Sequence, residues 1–286
     1  MNYYPTPTRT KNNLKVSRNL ILVLLLSLLA YACAAQVSQN ETLTKIKCNG
    51  KYGFVSKSGQ ISIPCIYDYV IDFKENYAVV KKNGKYGYIR KDGSELTPIK
   101  YEYCESFSEG KAVVQSNSLF GFINSEGKEV VSPKFEFLGS FSEGLAVVNK
   151  NRKFGYINKF GEEIIEAKYD FGLPFSEGLA VIKQNGKFGY INQTGKIVVE
   201  AKYDFANTFN EGFATVKLNG KATFINKKGN QVIAPIYDEI AEFDNGLAVV
   251  SNNKKYGIIN SQGREIIKVE SDNNLASLVE FISKSK

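Results

Sequence analysis

Apolar and polar positions alternate in short runs of β type along most of this chain. From Leu179 it reads LAVIKQNGKFGYINQTGKIVVEAKYDF: an apolar, β-branched run to Gln184, then Asn185-Gly186, a second run over Lys187 to Asn192, and a third from Lys196 to about Glu200. Asn-Gly between two such runs is a strong hairpin signal, because both central positions of the tight turn need positive φ. Gly195 supplies the left-handed residue that closes a bulged second turn. The segment predicts a three-stranded antiparallel meander.

The pattern repeats without insertion. The glycine after the aromatic is Gly53, Gly87, Gly121, Gly155, Gly189 and Gly257, with Thr223 in the sixth copy, and each step is 34 residues. Asn49, Asn83, Asn117, Asn151, Asn185, Asn219 and Asn253 hold the first turn. Asparagine tolerates the left-handed region, which covers the copies with Ser118, Arg152 or Lys254 beside it. A fixed period of roughly 20 to 50 residues marks an array whose units bury their apolar faces on one another. Residues 43–270 are therefore expected to form an all-β domain of seven 34-residue repeats. Phe73, Phe107, Phe141, Phe175, Phe209 and Phe243 stand between units as plugs, with a short fourth strand before them.

Runs such as those at Ala78, Ala146 and Ala248 are apolar on both strand faces, so each sheet needs neighbours on both sides. A seven-bladed, propeller-like ring meets that need by closing, and the near-uniformity of seven units favours it. The alternative is an open superhelical β-repeat stack, which needs caps at its ends. Residues 271–286 suit such a cap: Ser271 or Asp272 can start a short helix with Leu275, Leu278, Val279 and Ile282 on one face.

Ahead of the repeats, Met1 to Asn19 carry Arg9, Lys11, Lys15 and Arg18 and no acid. A leucine-rich run over Leu20 to Leu29 and the small-residue stretch around Ala30 to Ala35 follow. This is the make-up of a secretory signal peptide, residues 1–35, joined by a short linker, 36–42, and the apolar run is shorter than the roughly 20 residues of a membrane span. Export by a bacterium to the periplasm or beyond is expected. Cleavage near Gln36 and lipidation of Cys33 as a lipoprotein anchor both remain open.

Charge and chemistry then narrow the functional classes. The net charge is +8, and removal of the four leader cations lowers it to +4. That modest, dispersed balance does not suit a nucleic-acid binder. Cys48 and Cys65 fall on the first and third strands of unit one, about two inter-strand spacings or roughly 9.5 Å apart, so no disulfide is expected. The chain has no histidine, which removes Ser-His-Asp and Cys-His relays and the commonest zinc ligand. No catalytic residue, cofactor or metal site is marked.

The motifs Lys85-Tyr-Gly-Tyr-Ile89 and Lys153-Phe-Gly-Tyr-Ile-Asn158, the following Gly161, and Phe141-Ser-Glu-Gly-Leu-Ala-Val-Val148 resemble the bacterial Trp-Gly (WG) repeat family over about Leu43 to Val269. Each copy has Tyr or Phe for the tryptophan, or Ala222 in the sixth. The resemblance implies a β-rich repeat protein, often exported, without general catalytic activity.

Two charge stripes run through the repeats. Lys51, Lys85, Lys153, Lys187, Lys221 and Lys255 precede the aromatic and form a candidate polymer-contact stripe. Asp68, Glu102, Glu136, Asp170, Asp204 and Asp238 follow the Tyr or Phe of the third strand, as solvated positions or repeated local caps. The expected function is a non-enzymatic protein-interaction scaffold at the cell envelope. The alternative is a carbohydrate or cell-wall polymer binder, with the exposure of Tyr52, Tyr86, Tyr156 and Tyr190 deciding between them. The membrane is contacted only through the leader or a lipid on Cys33.

Overall fold

The structure is a computed structural model describing residues 42–270 and 274–284; the leader with Cys33, and Ser271 and Asp272, lie outside the described residues. It is built of seven antiparallel sheets of three or four strands in chain order, followed by one helix. Among the described residues no helix is long and apolar enough to cross a membrane.

Local chemistry forms each sheet as the turns predict. Asn185 and Gly186 take φ of 53° and 80°, and Asn151-Arg152 takes the same shape at 53° and 61°. The hairpin then pairs Leu179 with Asn192 through Gln184 with Lys187. At the second turn the Asn192 side-chain oxygen accepts the Thr194 and Lys196 amides at 3.1 and 2.9 Å.

The third strand explains the recurrent central glycine. Phe188 pairs with Tyr203, but Tyr190 pairs with Val199, so the third strand carries a bulge opposite Gly189. A Cβ on Gly189 would lie 2.5 Å from the Val199 carbonyl oxygen and 2.8 Å from the Ala201 nitrogen. The glycine thus admits backbone of its own sheet.

In the first unit the same bulge, passing over Gly53, carries Cys65 to the first strand. Cys48 and Cys65 form a disulfide with Cα atoms 5.9 Å apart. This corrects the expectation of two full strand spacings, which assumed a flat, regular third strand. In the sixth unit Thr223 replaces the glycine, and its hydroxyl donates to the Ile233 carbonyl at 2.6 Å. There, and in the second unit, isolated bridges stand in for a regular third strand.

The short fourth strands exist but belong to the following sheet. Tyr69–Val70, Tyr103–Cys104, Phe137–Leu138, Phe171–Gly172, Phe205–Ala206 and Glu239–Ile240 each pair with the next unit's first strand, for example Phe171 with Lys183. Each tail therefore stitches one sheet to the next.

Cores lie between consecutive sheets. Val79 and Tyr88 of the second sheet meet Phe107, Ala112, Val114 and Ile123 of the third, and the arrangement recurs as far as the sixth and seventh. The plugs Phe107, Phe141, Phe175, Phe209 and Phe243 are buried against Tyr88, Phe122, Tyr156, Tyr190 and Phe224, with ring centroids 4.9–5.2 Å apart.

The ends separate ring from stack. Helix α1 (Leu275–Lys284) packs Leu278 and Ile282 on Val249 and Ile258 of the seventh sheet. That is the face a closed ring would give to the first sheet. Among the described residues no strand pairing or core cluster joins the first sheet to the seventh, so the repeats are consistent with the open stack. Thr44, Ile46 and Val55, at positions filled elsewhere by buried Ala78, Val80 and Ile89, are exposed or half-buried. Helix α1 is capped by Asn274, whose side chain accepts the Ala276 amide at 2.8 Å. Its packing face is narrower than expected, since Leu275 and Val279 are exposed.

A polar ladder also ties unit to unit. The Ser142 and Ser176 hydroxyls donate to the Phe175 and Phe209 carbonyls at 2.8 and 2.7 Å. The Glu143 and Glu177 carboxylates accept the Gly178 and Gly212 amides at 2.9 and 3.0 Å.

Candidate functional site: an aromatic track along the repeats

The residue before each central glycine sits at the end of the middle strand, close to the Asn turn, and is half-buried. The residue just past the third strand, at the start of each two-residue strand, rises beside it. Because these positions are half a repeat apart, rings recur every 17 residues: Tyr86, Tyr103, Phe120, Phe137, Phe154, Phe171, Phe188 and Phe205. Successive centroids are 5.7–6.5 Å apart throughout. Tyr103 and Phe137 are each 42 % exposed and Phe205 43 %, so the track faces solvent. It stops in the sixth unit, where the next two positions are Ala222 and Glu239.

The four tyrosines chosen to test for a sugar platform divide by position. Tyr156 and Tyr190, after the glycine, are fully buried, and their hydroxyls donate to the Leu173 and Asn207 carbonyls at 2.8 and 2.7 Å. Burial raises both phenols well above their ordinary value. Tyr52 and Tyr86, before the glycine, are half-buried, and Tyr86 opens the surface row. Sequence reasoning named these rings but missed the second series, Tyr69, Tyr103, Phe137, Phe171 and Phe205; their 17-residue offset from the first was the available signal.

The structure brings the two charge stripes together. Lys51 pairs with Asp68, and Lys85, Lys153, Lys187 and Lys221 pair with Glu102, Asp170, Asp204 and Asp238 at 3.9, 2.6, 2.5 and 2.8 Å. The same acids accept turn amides: Asp68 from Asn83 at 2.8 Å, Asp170 from Asn185 at 3.0 Å and Asp238 from Asn253 at 2.7 Å. Bonds from Lys51, Lys153, Lys187 and Lys221 are the largest influence holding the four aspartates below the usual carboxylate value. Glu136 lies beside a unit with Leu119 at the lysine position, and the residue 17 after Lys255 is outside the described residues. The stripe therefore presents mostly compensated charge. Among the described residues no group of three or more candidate metal ligands forms.

The WG-containing-repeat family matches residues 52–86, 86–119, 120–154, 154–188, 188–221 and 223–256. The chain belongs to the WG-repeat family. In this WG-repeat protein the aromatic that opens most matched segments is the half-buried member of the track, so the family's defining position and the surface row are one feature. No curated protein matches the sequence. Among solved structures, a eukaryotic initiation factor is similar at 11% identity and a TM-score of 0.55, covering 80% of this chain and 73% of that one. That likeness concerns the fold alone. Hsv2p of Kluyveromyces lactis aligns at 12% identity with a TM-score of 0.40, over 73% of this chain and 79% of its own.

Proposed function

We infer that this WG-repeat protein is exported and acts by binding, as a scaffold that holds a protein partner along the track from Tyr86 to Phe205. The observation that carries the reading is the unbroken row of exposed and half-exposed aromatic rings. Tyr and Phe are enriched in the centres of protein interfaces, where rigid rings give large contact area at small entropic cost. The flanking ion pairs supply a polar, charge-compensated rim.

A glycan polymer is the second reading, favoured by the exposed rings of Tyr69 and Tyr103. Edge-on packing between neighbours weakens it, because a sugar stacks on a free ring face. Export is supported by the basic and apolar leader, and by the Cys48–Cys65 disulfide, a bond that persists in oxidising compartments.

A photo-crosslinking residue placed at Phe137 in living cells tests the scaffold, with Lys57, exposed at the opposite turn, as control. A discrete protein adduct in the envelope fraction at 137 and not at 57 is expected. Adducts at neither position, or at both alike, overturn the reading.

A further inference from the structure

Two places on the track differ from the rest. In the second unit a groove of about 680 Å³ is lined by Asp68, Tyr69, Lys81, Gly84, Tyr86 and Tyr103. In the fifth unit one of about 430 Å³ is lined by Asp170, Phe171, Lys183, Gly186 and Phe188. Five positions recur three repeats apart, an acid, two rings, a turn glycine without side chain and a lysine, and Tyr103 adds a third ring to the first groove.

Each groove holds a lysine against a ring, as Lys47 also does over Tyr52 in the first unit, which has no equivalent groove acid among the described residues. Lys81 Nζ lies 4.8 Å from the Tyr86 ring centre and Lys183 Nζ 5.0 Å from that of Phe188. Neither makes an ion pair with a carboxylate among the described residues, although Lys183 adds a smaller electrostatic pull on Asp170 after Lys153. Each groove acid is already engaged, Asp68 by Lys51 and Asp170 by Lys153. The third and fourth units carry Gln115 and Asn149 at the lysine position and lack the charge.

The sixth unit shows what the lysine accepts. There Lys217 keeps the position, but Ala222 and Glu239 replace two rings, and the Glu239 carboxylate meets Lys217 at 2.5 Å. A carboxylate at the position of Tyr103 or Phe205 thus reaches the lysine. The sixth groove carries its own; the second and fifth do not.

We propose that the grooves of the second and fifth units are twin seats for an acidic segment of the partner protein, each taking a carboxylate on Lys81 or Lys183 and an apolar or aromatic side chain between its rings. This rests on the scaffold reading above. Two equivalent seats on one chain let a single segment engage both, so that loss of either costs avidity.

The test uses a fluorescently labelled random copolymer of glutamate and tyrosine with the purified, processed chain. Saturable binding is expected, weakened about tenfold or more by K81Q/K183Q and unchanged by K196Q, which lies outside both grooves. Glu239→Tyr, which frees Lys217, is expected to tighten binding, with Lys217→Gln cancelling the gain; this arm holds even if the double variant folds poorly. No binding by the parent chain, equal binding by K81Q/K183Q, or lysine-dependent binding of polygalacturonate in preference to the copolymer would each overturn the proposal. A partner adduct at Phe137 alongside a failed copolymer test removes the seats alone; loss of both removes the scaffold as well.

Discussion

Cys48 and Cys65 are bonded across an intervening strand, with Cα atoms 5.9 Å apart, because the third strand leans over Gly53. The bond joins residues 17 apart in sequence and closes a loop that holds the second strand of the first meander. Closing a loop of this size is worth about 3 kcal/mol in the chain-entropy account. In an array whose units touch only their neighbours, the loss falls on the unit concerned. Cys48→Ser/Cys65→Ser is expected to speed amide exchange across Thr44 to Tyr67 and leave the fourth and fifth sheets unchanged. Uniform protection in both proteins would contradict this. Cys104, buried with its thiol pushed up to about 12, is expected to resist alkylation in the folded state.

Glu143 sits at φ 53°, a left-handed conformation that a glutamate rarely adopts. Its carboxylate accepts the Gly178 amide of the next repeat. Glu75, Glu109, Glu177 and Glu211 share the φ and the bond to the next repeat. The seventh unit has no following repeat to reach, and there the residue is Asn245, which suits the backbone better. Glu143→Asn is thus expected to ease the backbone yet lower stability by about 1 kcal/mol through the lost inter-unit bond. Asn245→Glu gains no such bond and is expected to be neutral or slightly destabilising. Urea denaturation of the two variants measures the difference, and equal effects would sink the ladder.

The stability profile against pH is expected to fall at both ends. Asp68, Asp170, Asp204 and Asp238 have folded-state values below the ordinary 3.8, so their contribution is present above about pH 4 and is lost as pH falls through the lowered values. All four are solvent-exposed pairs, so salt should weaken this limb. Tyr88, Tyr156 and Tyr190 are raised by burial above 10.0, so folding favours the neutral phenol. Their contribution is whole below about pH 10 and declines as pH rises toward the raised values. Circular dichroism melts from pH 2 to 12 at two salt concentrations check both limbs. Stability unchanged above pH 10 would show that the three phenols are not buried as described.

The sequence by itself determined the repeat and its strands. The 34-residue period, the Asn turns at Asn49 through Asn253 and the β-branched runs are local signals: a left-handed turn needs particular residues wherever it occurs. Burial of the plugs from Phe107 to Phe243 follows from the same periodicity, since a position repeated in every unit is one that packing demands.

Only the tertiary structure decided what depends on how far a strand leans and where a tail lands. The bulge over Gly53 closed the distance between Cys48 and Cys65, which no count of strand spacings contains. The pairing of each two-residue strand with the following sheet placed Tyr103 and Phe137 beside Phe120, making one track of two series. Helix α1 covers the seventh sheet's face with Leu278 and Ile282, consistent with an open stack. The pairing of Lys187 with Asp204 joins residues 17 apart in sequence, and the bulged register that sets Phe188 opposite Tyr203 brings them to 2.5 Å. Local preference fixes each strand; contacts between strands distant in sequence depend on the geometry of the assembled stack.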